Sequence, residues 1–314
     1  MIVALPRNLP AARLLREEGV SVLEGSNAAL FMLRPIRIAL LNLMPDKPVT
    51  ELQFARLLGH VPQAVELTLI RPGIHHSRTT SPVHLNRYYR TWEDVAHCTF
   101  DGLIVTGAPV ENLDFEAVDY WSELQAIFDW AEHSVVRSLF ICWAAQAALY
   151  HRFGVGKTAL ERKAFGVFEQ TICRRDRALM NGLGACIATP VSRHTEVPIG
   201  DVDRHPALDV LAVSDDTGLC MVEDRHRGAL MMFNHLEYDT ATLDAEYRRD
   251  RGCGHNIDVP ANYYPQDDPN RRPLNEWAAT ARRFFSNWVT EIAHARRCDA
   301  EYRGNRTGLA ALAR

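Results

Sequence analysis

Short apolar runs recur along the first half of this chain, and the stretches between them have helical spacing. The runs are Ile36-Arg37-Ile38-Ala39-Leu40-Leu41-Asn42-Leu43, Val65 to Ile70, Leu103-Ile104-Val105-Thr106 and Ser138-Leu139-Phe140-Ile141. Near-continuous apolar character over so few residues suits strands buried on both faces. Between them, Pro45 and Pro48 mark a loop, and Thr50 with Gln53 three residues on predicts a capped helix start. Thr91-Trp92-Glu93-Asp94 predicts a second helix start, and Phe115 to His133 carries Val118, Trp121, Leu124, Ile127, Phe128 and Ala131 at helical spacing. Strands alternating with helices predict an α/β fold with a mostly parallel sheet covered on both faces. Such sheets gather their sites at the carboxyl ends of the strands. The loop after Leu43, Gly107 and Cys142 all fall at such ends and are expected to face one pocket.

The later part of the chain has a different character. Phe165 to Ile172, Leu208 to Val213, Gly218 to Val222 and Ala229 to Phe233 are separated by Gly, Asp and Pro signals, which predicts additional antiparallel strands. Asn275 to Cys298 returns to a helix whose apolar stripe is Trp277, Ala281, Phe284, Phe285, Trp288 and Ile292. Asp299 to Arg314 lack a strong pattern. The expected division is an N-terminal extension over residues 1–34, one domain over 35–297 and a C-terminal tail over 298–314.

Hydrophobic residues at 47% and charged residues at 24% are ordinary for a globular protein. A formal net charge of −4 carries no polyanion-binding signal, and the cluster Arg174, Arg175 and Arg177 suits a solvated turn. No nucleic-acid partner is expected. The 7 cysteines are odd in number and scattered, with no Cys-x-x-Cys pair, as in proteins kept reduced. No metal site is expected either. The opening Met1-Ile2-Val3-Ala4-Leu5-Pro6-Arg7 is too short an apolar run for a signal peptide, and no stretch approaches the ~20 apolar residues of a membrane span. A cytoplasmic protein is the expectation.

Cys142 is the candidate for chemistry. It stands where a strand passes into the helix-like Trp143-Ala144-Ala145-Gln146-Ala147-Ala148-Leu149. The first N–H groups of a helix lack intrahelical partners and carry the positive end of its dipole, so they can stabilise a thiolate or an oxyanion. A free Cys is equally at home as a small buried hydrophobe, and this local pattern does not separate the two readings. A nucleophile needs a base, and the base needs a group that fixes it. His235 and Glu237 follow the apolar run Ala229 to Phe233, and on an extended chain their side chains leave on the same side. With 13 histidines in the chain, a His-x-Glu pair is weak evidence by itself. Lys47, just beyond the first strand, and the backbone N–H of Trp143 are candidate donors to an oxyanion.

A set of ordered motifs then gives these residues a context. They are Asn42-Leu43-Met44-Pro45-Asp46-Lys47, Thr106-Gly107-Ala108-Pro109-Val110-Glu111, Val118-Asp119-Tyr120-Trp121, Ile141 to Tyr150, Phe165-Gly166-Val167-Phe168, Ser192-Arg193-His194-Thr195-Glu196 and Asn234-His235-Leu236-Glu237-Tyr238. Together they resemble the homoserine O-acyltransferase family of bacterial methionine biosynthesis. The resemblance implies a fold related to class I glutamine amidotransferases, a flavodoxin-like α/β sheet. It also implies Cys142 as acyl-thioester nucleophile, His235 as proton acceptor and Glu237 as its partner. Lys163, Ser192 and Arg249 fall at the family's amino-acid-substrate positions, where Arg249 can grip a carboxylate with two hydrogen bonds and Ser192 a small polar group. The chain departs from many relatives at Ala144, where they carry Gly, and has Phe140 where amidotransferases carry Gly before the nucleophile.

By the same resemblance, residue 111 follows acyl preference: Glu with acetyl-CoA, Gly with succinyl-CoA. Here it is Glu111. Two like charges about 4 Å apart at an effective dielectric near 20 repel by about 4 kcal/mol. Even ~1.4 kcal/mol of that surviving relaxation is a tenfold discrimination. The expected activity is therefore acetyl transfer from acetyl-CoA to L-homoserine by a two-step, ping-pong route, with no bound cofactor and a homodimer implied by the family. Homoserine O-succinyltransferase, an amidotransferase-type glutamine hydrolase and a non-enzymatic binding protein are the rival readings.

Overall fold

The computed structural model describes residues 1–25, 28–75, 77, 79–254 and 256–312. Its strands are β1 (Ile2–Leu5), β2 (Ser21–Glu24), β3 (Ile36–Leu41), β4 (Ala64–Arg71), β5 (Arg90–Thr91), β6 (Phe100–Val105), β7 (Val135–Ile141), β8 (Thr158–Ile172), β9 (Cys186–Glu196), β10 (Leu208–Ser214), β11 (Gly218–Asp224) and β12 (Ala229–Met232). The helices are α1 (Pro10–Glu17), α2 (Ala28–Leu33), α3 (Lys47–Gly59), α4 (Pro82–Tyr88), α5 (Trp92–Val95), α6 (Trp121–Ser134), α7 (Trp143–Phe153), α8 (Ile199–Asp203), α9 (Thr242–Gly252) and α10 (Ala278–Leu312).

Among the described residues one sheet runs in the order β2-β1-β4-β3-β6-β7-β12-β11-β10-β8-β9, with β5 beside β4. Pairing is parallel from β2 through to β12 and antiparallel from β12 to β9. The expected α/β sheet with added antiparallel strands is thus what the chain forms. Strands β3, β6, β7 and β12 are consecutive and parallel, so their carboxyl ends share one edge of the sheet. That edge builds the site.

Alternate residues of the central strands feed two apolar layers. Ile36, Ile38 and Leu40 of β3 join one layer with Phe54 and Leu58 of α3 and with Trp277, Phe284, Trp288 and Ile292 in and before α10. Ala39 and Leu41 join the other with Leu124, Ile127 and Phe128 of α6 and with Ala144, Ala147 and Ala148 of α7. Helices therefore cover both faces.

Helix α3 starts a turn earlier than the Thr50 cap predicts. Asp46 is the cap, its side chain accepting from the Val49 N–H at 3.3 Å, and Pro48 sits in the first turn, where a missing N–H breaks no helical bond. The expected helix from Phe115 divides into a short 3-10 turn, Phe115–Ala117, and α6. Strand β9 was not anticipated, because Pro190 lies inside it. It is tolerated because β9 is the last strand of the sheet, where a residue without an N–H need not break a central ladder. Residues 1–34 contribute β1 and β2 to the same sheet. The helical backbone after Cys298 continues to Leu312; residues 313–314 lie outside the described part. Gly166 of the Phe165–Phe168 motif has φ +149, and a Cβ there would stand 2.3 Å from the Ala261 carbonyl oxygen. Only glycine fits under that crossing chain.

Candidate active site

Four strand ends supply the site. After β7, Cys142 takes φ 52 and ψ −116, a backbone conformation that L-residues avoid, and caps α7. Strain of this kind costs about 1–3 kcal/mol and persists where the surroundings hold it. Here the Cys142 N–H donates to Met232 O of β12 at 2.7 Å, and its carbonyl accepts from Ala145 and Gln146. The sulfur is thereby raised at a strand-to-helix elbow, with Trp143 as the first residue of α7. The Trp143 N–H has no carbonyl of its own helix to bond and is available to an oxyanion.

After β12 the chain does not stay extended. Strand β12 stops at Met232, and Asn234 to Tyr238 form a turn in which Tyr238 N–H returns to His235 O at 3.3 Å. The expectation that an extended chain presents His235 and Glu237 on one side is corrected, yet the two do meet. His235 Nδ1 lies 2.6 Å from Glu237 Oε1, and both side chains are buried. With Nδ1 held by the carboxylate, Nε2 is left for Cys142, which lines the same cavity. Burial opposes a charge on His235, but the Glu237 carboxylate and the Cys142 sulfur outweigh it, and the imidazole pKa is raised well above 6.5. A raised pKa suits the ring to the role of proton acceptor.

Arg193 fixes this turn from beneath. Its guanidinium is buried and donates to Asn234 Oδ1 at 2.6 Å and Phe233 O at 3.4 Å, while Asn234 Nδ2 donates to Thr189 Oγ1 at 2.8 Å. His235 N–H donates to Pro190 O at 2.9 Å, using the carbonyl of the residue that breaks the strand pattern. Tyr238 stacks on the His235 ring at 4.2 Å between centroids.

After β6, Gly107 lies against the pair. A Cβ at this position would stand 3.2 Å from Cys142 Cβ and 3.6 Å from His235 Cε1. After β3, Lys47 is buried, with Nζ donating to Asn42 O at 2.6 Å and Met44 O at 3.1 Å. Burial pushes its pKa down to about 8. Met44 and Pro45 line the cavity that holds Cys142; Lys47 stands behind them as the tie that shapes their loop.

That cavity, of about 260 Å³, is lined by Cys142, His235, Gly107, Glu111 and, on the far wall, Lys163, Ser192 and Arg249. Residues far apart in sequence are therefore brought to one space. Ser192 Oγ donates to Glu246 Oε2 at 2.6 Å, and Tyr238 Oη donates to Glu246 Oε1 at 2.7 Å. Lys163 Nζ stands 3.7 Å from Glu246 and 3.6 Å from Asp250, and Arg249 pairs with Asp250 at 2.7 Å. Glu111 Oε2 accepts the His194 N–H at 3.0 Å. Glu246 and Arg193 were missed in the sequence. Arg193 lay inside a recognised motif, but Glu246 sits on α9 with nothing local to mark it.

The fold resembles solved amidotransferase-type proteins. A Thermoplasma acidophilum protein described as a GMP synthase subunit superposes with TM-score 0.54 at 14% identity, covering 85% of this chain and 98% of that one. A glutamine amidotransferase from Methylobacillus flagellatus gives TM-score 0.51 at 13% identity, covering 82% and 95%. At these identities the likeness concerns fold alone. Sequence relatives are much nearer. Proteins named homoserine O-acetyltransferase from Hyphomonas neptunium, Agrobacterium fabrum and Lysinibacillus sphaericus are 48%, 46% and 44% identical. The matches cover 93%, 93% and 92% of this chain and 95%, 95% and 93% of those proteins. A family model described as homoserine O-succinyltransferase matches residues 2–296. With the Cys-His-Glu arrangement and these matches along nearly its whole length, the chain belongs to the homoserine O-succinyltransferase family.

Proposed function

We propose that this chain is a homoserine O-acetyltransferase of L-methionine biosynthesis, moving acetyl from acetyl-CoA to the L-homoserine hydroxyl through an acetyl-Cys142 thioester. The observation that carries the acyl choice is a carboxylate, Glu111, lining the cavity that holds Cys142. A succinyl tail would bring a second carboxylate into that space, while an acetyl methyl would not. The names of the sequence relatives support the same choice.

In the first half-reaction Cys142 gives its proton to His235 and its sulfur bonds to the thioester carbonyl carbon. The tetrahedral oxyanion is met by the Trp143 N–H, while Lys47, expected from the sequence as a second donor, acts by holding the loop whose Met44 and Pro45 line the cavity. The bond to the CoA sulfur then breaks, and CoA departs with the proton from His235. In the second half-reaction His235 takes the homoserine hydroxyl proton and the oxygen bonds to the acetyl carbon. The Cys142 sulfur leaves and is reprotonated. Lys163, Ser192 and Arg249 hold the amino acid, with Arg249 suited to its carboxylate and the acids around Lys163 to its ammonium. The family resemblance extends the proposal to a homodimer in the cytoplasm.

Homoserine O-succinyltransferase is the second reading, favoured by the description of the matching family model. One assay separates them: release of free CoA thiol with acetyl-CoA or succinyl-CoA, each crossed with homoserine and serine. Thiol release dependent on acetyl-CoA and homoserine is expected. Preference for succinyl-CoA would transfer the proposal to the second reading.

A further inference from the structure

Lys157 lies in the connection between α7 and β8, and its Nζ donates to two main-chain carbonyls distant in sequence, Glu111 O and Leu113 O, the latter at 2.7 Å. The same ammonium stands 4.9 Å from the centre of the Phe115 ring. That ring is itself fixed, stacked on Trp121 and Tyr150 at 5.3 and 4.7 Å between centroids. Lys157 thus straps the segment from Glu111 to Phe115 to the body of the protein. The segment needs it, because Asn112, Leu113 and Asp114 are exposed and belong to no strand or helix.

Glu111 is held at a second point. Its carboxylate accepts the His194 N–H of β9 at 3.0 Å. Strand β9 pairs with β8 through Glu196 and Thr158, and Thr158 directly follows Lys157. One β8–β9 ladder therefore supplies both restraints, the first on the main chain of Glu111 and the second on its side chain. A carboxylate discriminates between acyl groups only while it stays where the acyl tail arrives. A turn free to swing would carry it aside and open the space.

We propose that Lys157 is a specificity-determining positioning residue: by bonding the Glu111 and Leu113 carbonyls it keeps the Glu111 carboxylate in the cavity beside Cys142, and so sets which acyl group is accepted. This rests on the reading that Glu111 selects acetyl over succinyl. An ammonium suits the role because it is a compact point charge with three donors, enough for two carbonyls and the aromatic face.

The test is a double-mutant cycle on acyl preference, the ratio of kcat/KM for acetyl-CoA to that for succinyl-CoA, in wild type, Lys157→Met, Glu111→Gly and the double variant. Lys157→Met is expected to lower the preference roughly tenfold, the size that follows from losing charged hydrogen bonds that position a group. In the Glu111→Gly background the same change is expected to lower it no further, since no carboxylate remains to be positioned. Lys157→Arg, which keeps donors and charge, is expected to retain part of the preference, and thermal melting of each variant controls for folding. Unchanged preference in Lys157→Met, with Glu111→Gly still shifting it, overturns the strap and leaves the role of Glu111 standing. An equal loss in both backgrounds also overturns it, since Lys157 would then act independently of Glu111. Should Glu111→Gly itself leave the preference unaltered, the parent reading falls and this inference with it.

Discussion

His235 Nδ1 and Glu237 Oε1 are 2.6 Å apart across a turn, with both side chains sealed from solvent. The carboxylate fixes the ring so that Nε2 is the atom left for Cys142, and it raises the imidazole pKa against the pull of burial. Glu237→Gln keeps the shape and removes the charge. It is expected to lower kcat/KM by about 10²–10⁴-fold, the range for a disabled acid–base group. The His235 titration, followed by NMR of the imidazole, is expected to move to lower pH. The native pKa lies above the unfolded value of about 6.5, so the pair stabilises the fold fully below that pH. The stabilisation is lost as pH rises through the native pKa. Denaturant unfolding of the wild type and Glu237→Gln should therefore differ most below about pH 6.5 and converge at alkaline pH. A gap that widens with rising pH would contradict the assignment.

Gly107 lines the same cavity as Cys142 and His235, the pair proposed to carry the chemistry. A Cβ there would press on Cys142 Cβ at 3.2 Å, a backbone-near atom on a strained residue that has little room to yield. Gly107→Ala is expected to reduce kcat/KM by about 10²-fold through displacement of a reacting atom by a fraction of an ångström. Melting temperature is expected to change little. Steady-state kinetics beside thiol-alkylation rates at Cys142 check this, and wild-type values for both would show the contact to be slack.

Lys47 is buried while charged, and its pKa of about 8 lies below the ~10.4 of an unfolded lysine. Between those values the unfolded chain binds the proton more readily, so the Lys47 contribution to stability rises as pH increases from about 8 to about 10.4. Lys47→Met, with a side chain of similar length and no charge, lacks that slope. Unfolding free energies of both proteins at pH 8 and pH 10 are expected to move in favour of the wild type as pH rises. Activity of the variant should be low at every pH, because the Asn42–Met44 loop loses its tie. A variant with parallel stability and full activity would remove Lys47 from the mechanism.

The sheet was legible because its central strands are buried on both faces, so β3, β4, β6 and β7 stand out as apolar runs whatever surrounds them. The shared edge of their carboxyl ends followed from the α/β rule, whereas their order in the sheet rests on tertiary pairing that no local pattern records. Cys142 was legible as a junction residue, but its strained φ depends on the Met232 carbonyl of a distant strand. Strand β9 was hidden by Pro190, since local propensity cannot tell an edge strand from a broken one. The His235–Glu237 pairing was anticipated from a geometry the chain does not adopt; a turn, held by Arg193 and the Pro190 carbonyl, delivers the contact instead. Glu246 was invisible because its meaning lies wholly in tertiary contact with Ser192 and Tyr238.

Glu246 makes a prediction that separates the two half-reactions. One of its oxygens accepts from Ser192, at the acceptor side of the cavity, and the other from Tyr238, whose ring stacks on His235. Lys163 stands 3.7 Å from the same carboxylate. Glu246→Ala frees Ser192 and removes a counter-charge from Lys163, so homoserine should bind more weakly. Acetylation of Cys142 needs no amino acid and should survive. The homoserine KM is expected to rise about tenfold or more, as when a charged hydrogen bond of about 1.5–3 kcal/mol is lost. A rapid burst of CoA thiol on mixing with acetyl-CoA alone is expected to keep its amplitude, with an acetyl adduct on the Cys142 peptide by mass spectrometry. Loss of the burst itself would mean that Glu246 acts through Tyr238 on the base, and not through the acceptor site.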